Sequence, residues 1–181
     1  MDSLKFPIGP FVGPDDFDSV LVEDYIRKME QLPPYFAQTA LELSQAQLRQ
    51  SYRPGGWNAI QLVHHLADSH MNAYIRFKLA LTETEPVVKT YHENLWAQLP
   101  DSLEAGISSS LQILSGLHYR WVLLLKSMTE RDFAKSIYHS EYDQKQNLFF
   151  LLSYYAWHSE HHLGHLKIIK QGKLQHSTAT V

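Results

Sequence analysis

The chain has 181 residues, the length of one ordinary domain, and its 44% hydrophobic content is enough to bury a sizeable core. A formal net charge of −3 excludes the broad basic field that binds nucleic acid, and the lack of cysteine excludes disulfides, thiolate nucleophiles and cysteine-ligated zinc. The start, MDSLKFPIGPFVGPDD, has no charged-then-apolar export pattern, and no apolar run approaches a membrane span, so a soluble, cytoplasmic protein without a membrane partner is expected.

Residues 1–15 carry three prolines and two glycines and predict an irregular arm. From Asp16 the apolar residues recur at three and four, predicting a first helix that Pro33-Pro34 interrupts before YFAQTALEL resumes the period. RPGG at 53–56 is a breaker. Asn58 and Gln61 then form a capping box for a second helix running to about Thr82, ahead of Pro86. Residues 83–100 are expected to be a connector, and DSLE (Asp101 to Glu104) to open a third helix ending near Met128. Residues 133–146 lack helical period and predict a short hairpin or loop. A fourth helix is expected from about Asn147 to Gln171, stopped by Gly172, with 172–181 a loose tail. There is no alternating strand pattern and no internal repeat. The expectation is one all-α domain over 1–181, a four-helix bundle.

Histidine is the outlier: seven of eleven lie in HHLADSH (His64 to His70) and WHSEHHLGH (Trp157 to His165). On a helical wheel His158, His162 and His165 share a stripe about 100° wide with Leu151, Tyr154, Tyr155 and Ile169, the width of a core-facing face. His161 falls on its edge, as a bystander, and Glu160 points away. One inward histidine is most often a hydrogen-bonded core residue. Several stacked on one stripe would repel if protonated, and a divalent cation taking neutral imidazoles at i and i+4 resolves that. A further ligand must come from another helix. The second helix offers an apolar stripe (Ile60, His64, Ala67, Met71, Tyr74) and a polar one (Gln61, His65, Ser69, Asn72, Arg76). The polar stripe reads either as a solvated face or as the wall of a cleft, and periodicity does not choose between His64 and His65. His118 lies on a core stripe of the third helix with Ile107, Leu111, Leu114, Trp121 and Leu125; it fits a packed core histidine, a partner behind a ligand, or a competing ligand. There is no HExxH, no Glu-x-x-His pair, no phosphate loop and no GxSxG elbow.

FPIGPF, YRPGGWNAIQLVHHLADSHMNAYIRFKLALTE, LHYRWVLLL and YAWHSEHHLGHL together resemble the DinB/YfiT-like proteins, and among them the YfiT-type metal-dependent hydrolases, over nearly the whole chain. The resemblance implies a four-helix bundle with one divalent metal, nickel or zinc, on three histidines: one from the second helix and an i, i+4 pair from the last. Carried onto this sequence these are His65, just before LAD, with His158 and His162. His165 stands where many DinB proteins have glutamine, which leaves its role open. The resemblance also implies a homodimer and hydrolysis of a small molecule, and its relatives include transferases that use a low-molecular-weight thiol such as bacillithiol. Three neutral imidazoles leave an open coordination position where a bound water's pKa falls toward about 7. Asp68 and Tyr155 are candidates for proton transfer, and Asn72 and Arg76 for substrate contact. A metal site that only stores, senses or braces is the non-enzymatic alternative; a fourth protein ligand, from His165 or His118, would mark it.

Overall fold

The computed structural model describes residues 3–172. Helix α1 (Ser19–Leu41) starts where Asp18 Oδ1 accepts from the Val20 amide at 2.8 Å, and buries Val22, Ile26, Met29, Leu32, Phe36 and Ala40 at the expected spacing. It corrects one expectation, because it runs unbroken through Pro33 and Pro34. Two prolines remove two amide donors and leave the Met29 and Glu30 carbonyls without helical partners. Glu30 is exposed to water, and the buried Met29 carbonyl accepts from His118 Nδ1 at 2.7 Å. The break is thereby satisfied from a neighbouring helix.

A single turn, α2 (Gln45–Leu48), leads to α3 (Ala59–Thr82), whose capping box is the one predicted: Asn58 Oδ1 accepts from the Gln61 amide, and Gln61 Oε1 from the Asn58 amide. The connector is more structured than expected. It holds strand β1 (Val87–Val88) and the short helices α4 (Glu93–Trp96) and α5 (Pro100–Glu104). DSLE therefore closes α5 instead of opening the third long helix, α6 (Ser108–Ser127), which begins after an extended Ala105. The Ala105 carbonyl is held by His64, which pins this break. After α7 (Glu130–Phe133), strands β2 (Ser136–His139) and β3 (Gln144–Asn147) form the predicted hairpin. β1 joins β2 in parallel, which the sequence did not signal, because two residues carry no alternation. Asn147 then caps α8 (Leu148–Lys170), and Gly172 follows it at φ +65°. The expected loose tail, apart from Gly172, and residues 1–2 of the arm lie outside the described residues.

The four long helices close into a ring: α1 packs on α6 and α8, and α3 packs on the same two. Their apolar core falls into two clusters, one around Phe77, Trp121 and Leu152 and one around Phe36, Leu62 and Leu166. Histidines fill the level between. His70 stands between Ala67 and Ala73 on α3, His118 between Leu114 and Trp121 on α6, and His158 and His162 between Tyr155 and Leu166 on α8, all buried. The polar stripe of α3 is not a solvated face, since Gln61, His65 and Ser69 are buried and Asn72 and Arg76 half-buried. The arm is irregular but not free. It lies along α8, with Phe11 against Phe150, Tyr154 and Trp157, and the Gly9 carbonyl accepting from Trp157 Nε1. Gly164 permits that approach, because a Cβ there would stand 2.7 Å from Pro7 Cγ. No described helix is long and apolar enough to cross a membrane.

Candidate metal centre

Adjacent residues on a helix point about 100° apart, and this separates His64 from His65. His64 turns to the start of α6, with Nε2 3.2 Å from the Ala105 carbonyl and Nδ1 2.8 Å from Ser110 Oγ. A carbonyl only accepts, so Nε2 carries the proton, Nδ1 accepts from the hydroxyl, and both nitrogens are satisfied. His65 turns to α8, backed by Trp57 at 4.5 Å between ring centres. Its Nε2 lies 3.4 Å from His158 Nε2, which lies 3.0 Å from His162 Nε2. One nitrogen from each of the three rings falls within 4.8 Å of the other two.

The spacing suits a cation. Two nitrogens at about 2.0–2.1 Å from one tetrahedral ion stand about 3.3 Å apart, close to both measured separations. Hydrogen bonds among the three rings alone would satisfy only part of the converging nitrogens. Protonation state fits as well. Desolvation, reinforced by neighbouring histidines, pushes His65 down to about 3 and His158 and His162 well below the ordinary imidazole range. All three rings are neutral at pH 7, the form that a divalent cation takes.

His161, expected at the edge of the stripe, is buried, stacked on Trp157 and packed against Phe6 of the arm. With His162 and His165 it forms a second cluster able to hold a cation. The two clusters share His162, whose neutral ring has one lone pair. Hydrogen bonding says where that lone pair sits. His165 Nε2 faces the Lys5 carbonyl at 3.3 Å and so bears the proton; its Nδ1 accepts, and the nitrogen beside it at 3.3 Å is His162 Nδ1. His162 Nδ1 is therefore the donor and its Nε2 the free lone pair, directed at His65 and His158. Burial holds His165 at about 3 and His161 at about 4, so these rings are neutral too.

Two clefts meet at His158, Tyr154 and Glu93. One, about 390 Å³, lies under the arm and reaches His65 and His162. The other, about 320 Å³, runs past Ser69 and Tyr155 to Arg76 and the sheet residue His139. Arg76 is fixed at its wall: Nη1 donates to Tyr155 Oη at 3.0 Å and Nη2 to the Lys89 carbonyl at 3.3 Å. Burial raises the Tyr155 pKa, with Arg76 pulling the other way, so the phenol stays protonated at neutral pH. Asp68 and Asn72 line neither cleft. Burial, with Asp101 nearby, raises Asp68 to about 6, and the Asn72 amide donates to the Asp68 backbone carbonyl. Glu93, at the mouth of both clefts, was not picked out from sequence; it sits in a stretch that reads as connector, and its approach to His158 depends on how α4 folds back. Desolvation and Glu141 raise its pKa.

The family model of the DinB superfamily matches residues 28–166. A relative from Bacillus licheniformis is 45% identical over 92% of this chain and 95% of its own, and one from Bacillus pumilus is 44% identical over 96% and 99%. YfiT from Bacillus subtilis is 40% identical over 91% of this chain. All three are named, provisionally, as metal-dependent hydrolases. The solved structure of YfiT, described as a four-helix bundle, superposes with a TM-score of 0.91 at 38% identity, covering 94% of this chain and 98% of that one. The fold, the histidine layer and these likenesses agree: the chain belongs to the DinB superfamily.

Proposed function

We propose that this protein is a metal-dependent hydrolase of a small molecule, with one divalent cation, zinc or nickel, held by His65, His158 and His162. The observation that carries the proposal is the convergence of three neutral imidazole nitrogens, at cation spacing, where two clefts meet. The provisional names of the relatives support it. His165 stays outside the shell, since its lone pair faces His162 Nδ1. Three protein ligands suit a catalytic site, whereas a fourth would suit a bracing one. When bound, the cation supplies Lewis acidity at its remaining coordination position.

The rest falls to side chains. Arg76, braced by Tyr155 and the Lys89 carbonyl, is preorganised to hold an anionic group of the substrate beside His158. Tyr155 keeps its proton and positions Arg76 instead of acting as a base. Glu93 is the carboxylate bordering both clefts, placed to exchange a proton with a substrate held there; desolvation, with Glu141, raises its pKa. The test is a panel of small esters, amides, phosphoesters and thiol acceptors, run on protein purified without a metal-affinity tag. Hydrolysis that is abolished by chelator and by His158→Ala, and slowed by Glu93→Gln, is the expected result. Thiol conjugates without hydrolysis would replace the reading with a thiol transferase, and a tightly bound cation without turnover would leave a non-enzymatic site.

A further inference from the structure

His118 and His70 are buried, belong to none of the clusters that could hold a cation, and have no role in the chemistry above. Their hydrogen bonds nevertheless have a direction. The Met29 carbonyl can only accept, so His118 carries its proton on Nδ1, 2.7 Å away. His118 Nε2 is then an acceptor, and the atom facing it at 2.8 Å, His70 Nδ1, must be the donor. Neutral His70 is left with its lone pair on Nε2, a fully buried nitrogen with no partner. Another buried nitrogen without a partner is His158 Nδ1, on a ring whose centre is 5.8 Å from that of His70. His158 turns its other nitrogen toward His65 and His162.

We infer that His70 and His118 are positioning residues for His158: a relay anchored on the proline-freed Met29 carbonyl presents an acceptor at His70 Nε2 for the His158 Nδ1 proton, and so keeps the His158 lone pair on Nε2. The inference rests on the proposed metal site. A histidine that binds a cation through one nitrogen must keep its proton on the other, and that N–H needs an acceptor. His165 with the Lys5 carbonyl does this for His162. For His158 the proposed acceptor is His70 Nε2, and because neither it nor His158 Nδ1 makes a hydrogen bond in this structure, the two neighbouring rings must close on each other when the cation binds. The prolines that looked like a helix breaker thus supply the fixed end of the relay.

The experiment measures zinc affinity by competition with a chromophoric chelator, and records imidazole ¹⁵N spectra of the zinc-loaded wild type. His70→Leu, which removes the acceptor, is expected to weaken zinc binding about 10–100-fold, the usual loss for a group behind a ligand. His70→Gln, which restores an acceptor oxygen, is expected to recover most of it. His118→Phe frees His70 to take the wrong tautomer and should weaken binding without touching any ligand. In the wild type, which needs no variant to fold, His158 should be protonated on Nδ1, with a ¹⁵N–¹⁵N coupling across to His70 Nε2. An exchanging His158 N–H without that coupling, or equal affinity in wild type and His70→Leu, would overturn the relay and leave the metal site standing. A wild type that binds no zinc would overturn both.

Discussion

Acid should unfold the metal-free protein steeply, and the histidine layer sets the slope. His65, His70, His118, His158 and His162 are each under a tenth exposed, and desolvation holds all five pKa values far below the ordinary imidazole value, to about 3 for His65 and about 4 for His118. In the unfolded chain they titrate near 6.5. As pH falls below about 6.5 the unfolded state takes up protons that the folded state refuses, so the stability present above that pH is lost progressively toward the folded pKa values. Each ring contributes at most about 1.4 kcal/mol per pH unit, so the layer loses several kcal/mol per unit, and His161 and His165, held at about 4 and about 3, act in the same direction. Asp68, raised to about 6, works in the opposite sense, because the folded state protonates it first; it offsets one of the five at most. Against a domain stability of about 5–15 kcal/mol, a loss of this sign and order should lower the unfolding midpoint markedly as the pH falls below about 6.5. Urea midpoints followed by circular dichroism at about pH 7.5, 6.5 and 5.5, with chelator present, measure it. Equal midpoints at pH 7.5 and 5.5 would refute the reasoning, since they would require the histidines to be solvated or already charged in the fold.

Four substitutions test the site and the elements around it. His65→Ala should weaken zinc binding more than about 100-fold, beyond the range for a group behind a ligand; His64→Ala should leave it nearly unchanged and instead cost about 1–3 kcal/mol of stability, since Ser110 and the Ala105 carbonyl lose a buried partner. Calorimetric zinc titration beside chemical unfolding separates the two, and the reverse pattern would exchange their roles. Gly164→Ala places a Cβ 2.7 Å from Pro7 Cγ and should lift the arm, with a change in Trp157 fluorescence, faster proteolysis before residue 15, and weaker zinc binding as His165 loses the Lys5 carbonyl. Arg76→Ala should raise KM for the best anionic substrate by about tenfold or more at unchanged zinc affinity, consistent with the loss of a charged hydrogen bond worth about 1.5–3 kcal/mol; an unchanged KM would remove Arg76 from the substrate site.

The sequence made the bundle legible where local signals agreed. Asn58 and Gln61 marked the start of α3, Gly172 followed the end of α8, and apolar period marked all four long helices. It was least legible where a distant group decides the outcome. Pro33 and Pro34 read as a break because nothing local shows that His118 will take the Met29 carbonyl. DSLE read as a cap for a long helix, although the chain turns again at Ala105 and is held there by His64. The pair His158 and His162 was visible as an inward i, i+4 stripe. Choosing His65 over His64 required either family resemblance or the tertiary fact that one ring faces α6 and the other α8. The cover that the arm gives the histidines was hidden for a similar reason: proline- and glycine-rich segments have no periodicity to show what they lie against. Glu93 depended on α4 folding back over the clefts.

The most direct measurement is X-ray absorption at the zinc edge on protein loaded with one equivalent of zinc. The account predicts a first shell of three imidazole nitrogens and one oxygen at about 2.0 Å, falling to two imidazoles in His65→Ala. A shell of four imidazoles, or one that His65→Ala leaves unchanged, would contradict the three-histidine open site.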